Sequence, residues 1–370
     1  MNHTESTLPK TEAAMSFPPE MQEQIGLITE ASLHLSPVGS FDPTLSFLKD
    51  KVGQKVIAID MGGDKIAAAE QTVGKDGRLH METVLRSGRR EKGEGYLAVI
   101  ENLGYQAHGA DIPVGISYAG PISGKRIVDG PNVKTLLDEL DESYGGNFEH
   151  ASPEQDILLG EQLKALANDA VAGLYAGAAE AVDKYPDVKN VIYVIVGSGL
   201  GGAVLKEGQV YAAEPGHIEV VPSLNPYGRT GECKVFDQTF TCMEMVAGSK
   251  TGIEKIWEEQ TGTELDGVQI GEQAAQGDEL AQSLYQSSAK LVAAVTEGIA
   301  KVMDLSLTDG ETAVVFHGGP FNVGFLRDGA TELLEQMGSR APVLFTGDFS
   351  ENACRDGAAL AALAALDKQA

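Results

Sequence analysis

Two segments of this chain run a hydrophobic strand into a glycine turn and out again into a second strand rather than a helix. The first is Val56-Ile57-Ala58-Ile59-Asp60, then Met61-Gly62-Gly63-Asp64-Lys65, then Ile66-Ala67-Ala68-Ala69. The second is Val191-Ile192-Tyr193-Val194-Ile195-Val196, then Gly197-Ser198-Gly199-Leu200-Gly201-Gly202, then Ala203-Val204-Leu205. Glycine turns let a backbone come close to a phosphate, and their N–H groups can point at the anion. One such turn in each half implies a nucleotide held between two related domains, and hence phosphoryl transfer. Gly197, Gly199 and Gly202 also fit G-x-G-x-x-G, the dinucleotide fingerprint, but that motif needs a helix at its third glycine. AVLKEGQVYAA follows instead, with β-branched residues and a Glu207-Gly208 turn, and reads as a hairpin.

The 370 residues suffice for two domains of roughly 100–200 residues each. Residues 1–50 are polar and broken by Pro9, Pro18, Pro19, Pro37 and Pro43. They read as an extension, peripheral or partly disordered, with one short helix near 20–34. KVIAIDMG, KIAAAEQTV and LHMETVL then read as three strands, with Lys75-Asp76-Gly77 as a tight turn. A helix is expected over 91–104, a buried strand at IPVGISYAG and loops over 131–160. An Ala-rich helix is expected over 170–183, followed by VIYVIV, AVLKEG and QVYAA as a second three-strand meander. Helices follow over 243–258, 271–276, 278–303 and 321–338, with strands at TAVVFHGG and PVLFTG and a terminal helix over 352–367. The fold class is therefore α/β, with two ribonuclease H-like domains facing a cleft, the layout of the actin-like ATPases. The expected division is an extension at 1–50, a small domain at 51–167 with the first phosphate loop, and a large domain at 168–370 with the second. The terminal helix is free to pack back on the small domain.

Composition narrows the partners. A net charge of −26 argues against nucleic acid, whose phosphates need clustered Lys and Arg. No apolar run approaches the roughly 18 residues of a membrane span, and the N-terminus has no basic-then-apolar secretory pattern. Three cysteines, Cys233, Cys242 and Cys354, fit a reduced cytoplasm better than a disulfide framework.

DMGGDK, Asn168-Asp169-Ala170, GSGLGGAVLKEG, Glu214-Pro215-Gly216-His217 and Cys242-Met243-Glu244 occur in this order. Over roughly 55–368 the chain resembles the ROK family (repressor, open reading frame, kinase), whose enzymes are bacterial sugar kinases. The resemblance implies ATP and Mg²⁺ as cofactors, a sugar substrate and a homodimer.

Asp169 sits where a strand ends and a helix begins. By itself it reads equally as a helix cap or as a base at a cleft edge. The resemblance favours the base, taking a proton from a sugar hydroxyl. Asn168, Asp169, Glu214, His217 and Glu244 match the family's sugar-contacting positions, and Asn132 is a further sugar-ligand candidate. Asp60, at the end of the first strand, suits Mg²⁺ through water. Gly62, Gly63 and Lys65 in the first turn are phosphate-binding candidates, as are Gly197, Ser198, Gly199 and Gly201 in the second. Gly318 and Gly319 fall where the family's adenosine-binding turn lies. Asp64 departs from the family pattern Asp-x-Gly-Gly-Thr-Lys by placing a carboxylate where a hydroxyl stands. A charge there repels a phosphoryl group.

Many family members hold a structural zinc with that histidine and three cysteines. Here only Cys242 keeps register, Cys233 is displaced, and Val235 and Asp237 take the other positions. Three ligands remain where a closed site wants four, so no structural zinc is expected. Phe236 and Phe240 are expected to hold the loop instead.

The resulting expectation is an ATP-dependent hexose kinase acting on a primary hydroxyl, with glucose as default substrate. The alternatives are an N-acetylhexosamine or fructose kinase, or a degenerate sugar-binding regulator. ATP and polyphosphate both remain open as donor.

Overall fold

The computed structural model describes residues 18–31, 35–62, 65–88, 102–103, 107, 110–120, 122–123, 126–127, 162–233 and 238–367. The helix expected over 91–104 lies outside these, apart from Asn102 and Leu103, as do the loops expected over 131–160.

The described chain opens with helix α1 (Pro19–Glu30) and strand β1 (Ser36–Ser40). Strands β2 (Lys55–Met61), β3 (Ile66–Val73) and β4 (Leu79–Arg86) form an antiparallel meander. Strand β5 (Val114–Tyr118) is parallel to β2; a small hairpin, β6 (Ile122–Ser123) with β7 (Arg126–Ile127), follows. Strand β8 (Leu163–Asn168) completes a five-stranded sheet of order β4-β3-β2-β5-β8. Helix α2 (Asp169–Lys184) leads to a second meander of β9 (Asn190–Val196), β10 (Leu200–Lys206) and β11 (Gln209–Ala213).

A hairpin of β12 (Glu232–Cys233) and β13 (Gln238–Thr239) follows, then α3 (Glu244–Ala247), α4 (Lys255–Thr261), α5 (Gly267–Ala275) and α6 (Glu279–Val302). Strand β14 (Thr312–His317), α7 (Gly324–Gln336), β15 (Val343–Phe345) and α8 (Ala353–Leu366) complete the chain. Strands β14 and β15 join β9 in parallel. Apart from β1, the second sheet has the order β11-β10-β9-β14-β15, which repeats the first strand for strand. The duplication lies in topology, and its two glycine turns occupy equivalent β2–β3 and β9–β10 corners.

Two helices cross between the halves. Helix α2 leaves the first sheet and packs on β9, β10 and β14, whereas α8 leaves the second sheet and packs on β2, β5 and β8. The crossing is close because small residues line it. A Cβ on Gly357 of α8 would sit 1.6 Å from the Ala172 carbonyl oxygen of α2. Gly357→Ala must spread the helices, so a loss of about 1–3 kcal/mol is expected, read as a lowered Tm. An unchanged Tm would show that the crossing tolerates the methyl group.

Two expectations need correction. Residues 18–31 and 35–40 are built into the large half rather than lying at its periphery. Met21, Gln24, Ile25 and Ile28 of α1 are buried, and β1 adds an edge strand beside β11. The prolines are compatible with this order. Pro19 opens the helix, where its missing N–H costs nothing, and Pro37 lies in an edge strand. The helix expected over 243–258 is instead broken at Gly248. The chain resumes after the break as a π-helical segment over Ser249–Glu254 that runs directly into α4. The break docks this segment on the second glycine turn: Ser249 N–H donates to Gly197 O (2.9 Å) and Thr251 N–H to Ser198 O (3.1 Å).

Among the described residues, no helix is long and apolar enough to cross a membrane.

Candidate active site

The cleft chemistry gathers on the two strands and the helix that meet at the crossing. Asp60 is the penultimate residue of β2. Its Oδ1 accepts from the Ser117 hydroxyl of β5 (2.9 Å) and its Oδ2 from the Asn352 amide, which caps α8 (3.0 Å). Burial raises the Asp60 pKa, and these two hydrogen bonds oppose the shift.

Asp169 is the first residue of α2. Asn168 caps the helix through the Ala170 N–H (2.9 Å) and donates from Nδ2 to Gly120 O (3.1 Å). The cap and the proposed base are thus adjacent residues. Asp169 Oδ1 also accepts from Ala170 N–H (2.8 Å). Burial lifts the Asp169 carboxyl to about 7, helped by the charges of Asp60 and Glu214 and opposed by the Ala170 hydrogen bond.

Glu214 follows β11 and is raised to about 7, first by burial and then by the charge of Glu244. Glu244 starts α3, with Oε1 4.0 Å from His217 Nδ1. A chain of electrostatic effects links these carboxyls from both halves of the molecule: the charges of Asp60 and Glu214 act on Asp169, and that of Glu244 on Glu214.

The second glycine turn is fitted to this acidic group. A Cβ on Gly199 would lie 2.6 Å from Glu244 Oε2, so a side chain here would push that carboxylate aside. Gly197 N–H closes the turn onto Gly199 O (3.1 Å), with Ser198 at its exposed tip. Gly201 lies within β10 opposite Ile195, where a Cβ would meet Ile195 Cγ2 at 3.0 Å and Ala170 at the head of α2 at 3.8 Å. In the first turn, Gly62 N–H bonds Lys65 O (3.0 Å) and Lys65 is exposed, whereas Gly63 and Asp64 lie outside the described residues. Asn132 lies outside them as well. Gly318 follows β14 at φ 119°, where a Cβ would meet Val196 O at 1.9 Å; Gly319 next to it faces open space.

Ser117 and Asn352 were absent from the sequence expectations, although both hold Asp60. His217, Cys233 and Cys242 converge as well, their ligand atoms within 4.8 Å of one another. The hairpin β12–β13 brings back the cysteine that looked displaced in sequence. These soft and borderline donors suit zinc, but they supply three of the four ligands of a closed structural site. No metal chemistry is assigned to them. Phe240 is partly buried beside this loop, and Phe236 lies outside the described residues.

Two duplicated α/β halves, glycine turns at equivalent corners and a carboxylate at the head of the crossing helix define a phosphotransferase of the sugar kinase class with the actin-like ATPase fold. The chain belongs to the ROK family, whose model matches residues 56–369. It is 28% identical over 321 residues to an N-acetylmannosamine kinase from Escherichia fergusonii, an alignment covering 84% of this chain and 97% of that relative. Among solved structures, it resembles a ROK hexokinase from Thermus thermophilus with a TM-score of 0.59 and 22% identity, over 85% of this chain and 100% of that one. A ROK family glucokinase from Streptomyces griseus in complex with glucose and AMPPNP gives a TM-score of 0.57 and 22% identity, over 82% and 98% of the two chains.

Proposed function

We propose that this chain transfers the γ-phosphoryl group of ATP to the primary hydroxyl of a hexose, with N-acetylmannosamine as the preferred substrate and Asp169 as general base. The observation that carries the reading is Asp169 itself: a carboxyl at the head of α2, raised to about 7 beside Asp60 and Glu214. A base works best when its pKa lies near the working pH. Asp169 takes the hydroxyl proton, the sugar oxygen bonds to phosphorus, and the bond from phosphorus to the bridging oxygen breaks to release ADP. The Ser198 hydroxyl and the amides of its turn take phosphate oxygens. Asn168, Glu214, His217 and Glu244 bind the sugar hydroxyls.

Asp60 fits a magnesium ion held through water. Both its oxygens already accept one hydrogen bond, a carboxylate oxygen has a second lone pair, and burial beside Asp169 favours a neutralising cation. Magnesium, when bound, would offset phosphate charge. Ser117 and Asn352 orient the Asp60 carboxylate for it.

Similarity to N-acetylmannosamine kinases supports that sugar ahead of glucose. The test is ADP release from ATP and Mg²⁺ with N-acetylmannosamine, N-acetylglucosamine, glucose, mannose, fructose or no sugar, with polyphosphate as an alternative donor. Release that depends on N-acetylmannosamine supports the full reading. Release with glucose instead keeps the reaction and replaces the substrate. Sugar binding without release with any sugar or donor would favour the degenerate regulator.

The pH dependence has a definite sign. Asp169 acts as a base only when ionised, so kcat/KM should fall as pH drops below about 7. Glu214 titrates in the same range, so the fall should exceed one proton and return to one in Glu214→Gln. A profile flat across roughly pH 5–8 would remove Asp169 as base.

A further inference from the structure

Helix α1 lies outside the residues matched by the family model, yet it reaches the sugar-recognition elements. Its anchor is apolar. Ile28 fills a notch at Gly298 of α6, where a Cβ would lie 2.3 Å from Ile28 Cγ2. One turn earlier on the same face stands Gln24, with none of its surface exposed. Its Nε2 donates to Glu219 O (2.9 Å), and its Oε1 accepts from Val221 N–H (2.9 Å). Nε2 also lies 3.6 Å from Met243 Sδ.

Those contacts fall on one small ladder. Val220 N–H donates to Thr241 O (2.8 Å), Met243 N–H donates to Ile218 O (2.9 Å), and Glu219 bridges Cys242 between them. His217 immediately precedes one side of the ladder, and Glu244 immediately follows the other. The Gln24 amide thus grips the backbone of the first side and touches the second. An apolar residue would bury here at lower desolvation cost. A fully satisfied buried amide instead fixes one arrangement of its partners.

We propose that α1 is a built-in brace for sugar recognition, with Gln24 as a positioning residue that sets how His217 and Glu244 meet the sugar. The proposal rests on the sugar-site reading given above. Gln24→Met keeps length and helix propensity but loses both hydrogen bonds. It should raise the KM for N-acetylmannosamine about tenfold and leave kcat and the ATP KM within about twofold, because misplacement affects the sugar side alone. Ile28→Val trims the same helix without touching the amide and should lower Tm without that split. If Gln24→Met does not fold, Gln24→Asn, which keeps an amide too short to span both partners, should give the same split.

A lowered Tm with both KM values unchanged would make Gln24 a structural residue only and overturn the proposal. Equal rises in both KM values would do the same. His217→Ala separates the two readings. If it raises the sugar KM while the Gln24 variants do not, the brace fails and the sugar site stands. If His217→Ala leaves the sugar KM unchanged, the sugar site fails and the brace fails with it.

Discussion

Asp169→Asn is expected to lower kcat by a factor on the order of 10²–10⁴, the usual loss when a general base is removed. The substitution is nearly isosteric, and an amide oxygen still accepts from the Ala170 N–H that Asp169 uses now. The Asn168 cap is untouched, so α2 keeps its start. Stability should not fall with activity. Asp169 titrates near 3.8 when unfolded and about 7 when folded, so the folded state holds its proton more tightly. Its burial costs nothing below the unfolded value, and the cost grows as pH rises from there through about 7. Asparagine removes that cost, so Tm at pH above about 7 should match or exceed the wild type. Sugar binding should persist, because the neighbouring acceptors remain. A variant with near wild-type kcat would refute the role of Asp169. A variant inactive only because it is unfolded would contradict the electrostatic account.

Asn352→Asp should be the second most damaging change. Asn352 Oδ1 accepts from Arg355 N–H (2.9 Å), which caps α8 and leaves Nδ2 directed at Asp60. Aspartate caps a helix as well as asparagine does, so α8 should stay folded. It cannot donate when ionised, and it sets a second carboxylate against Asp60. Asp60 must then turn away or take up a proton. Displacement of a reacting constellation by about 1 Å can cost on the order of 10²-fold, and a loss of that size in kcat/KM is expected. The apparent KM for Mg²⁺ should rise as well. Asn352→Ser keeps the cap without a second charge and should be milder. Equal loss in both variants would show that the lost bond to Asp60, and not the added charge, does the damage.

The sheets were legible because their strands are short apolar runs bounded by glycine turns, and every residue of β5 and β9 is buried. Helix α2 was legible because an N-cap asparagine marks its start. Local pattern could not reveal the partners of Asp60. Ser117 is 57 residues away and Asn352 is 292, and the strand order that brings them together is not local information. The break at Gly248 was hidden for a similar reason. Its cause is docking against Ser198, not helix propensity. The proline-rich start misled because proline disfavours helix interiors and central strands, while Pro19 and Pro37 occupy a helix start and an edge strand. Nothing in residues 18–31 alone announces that Gln24 will be buried against Glu219 and Val221.

The central claim is that the carboxylates at this crossing direct a phosphoryl group to a sugar and not to water. Coupled phosphorus-31 and proton NMR of the products from ATP, Mg²⁺ and N-acetylmannosamine tests it most directly. The account predicts a phosphomonoester coupled to the methylene protons of the primary carbon, formed in step with ADP. Inorganic phosphate alone, or a phosphate coupled to the anomeric proton, would contradict it.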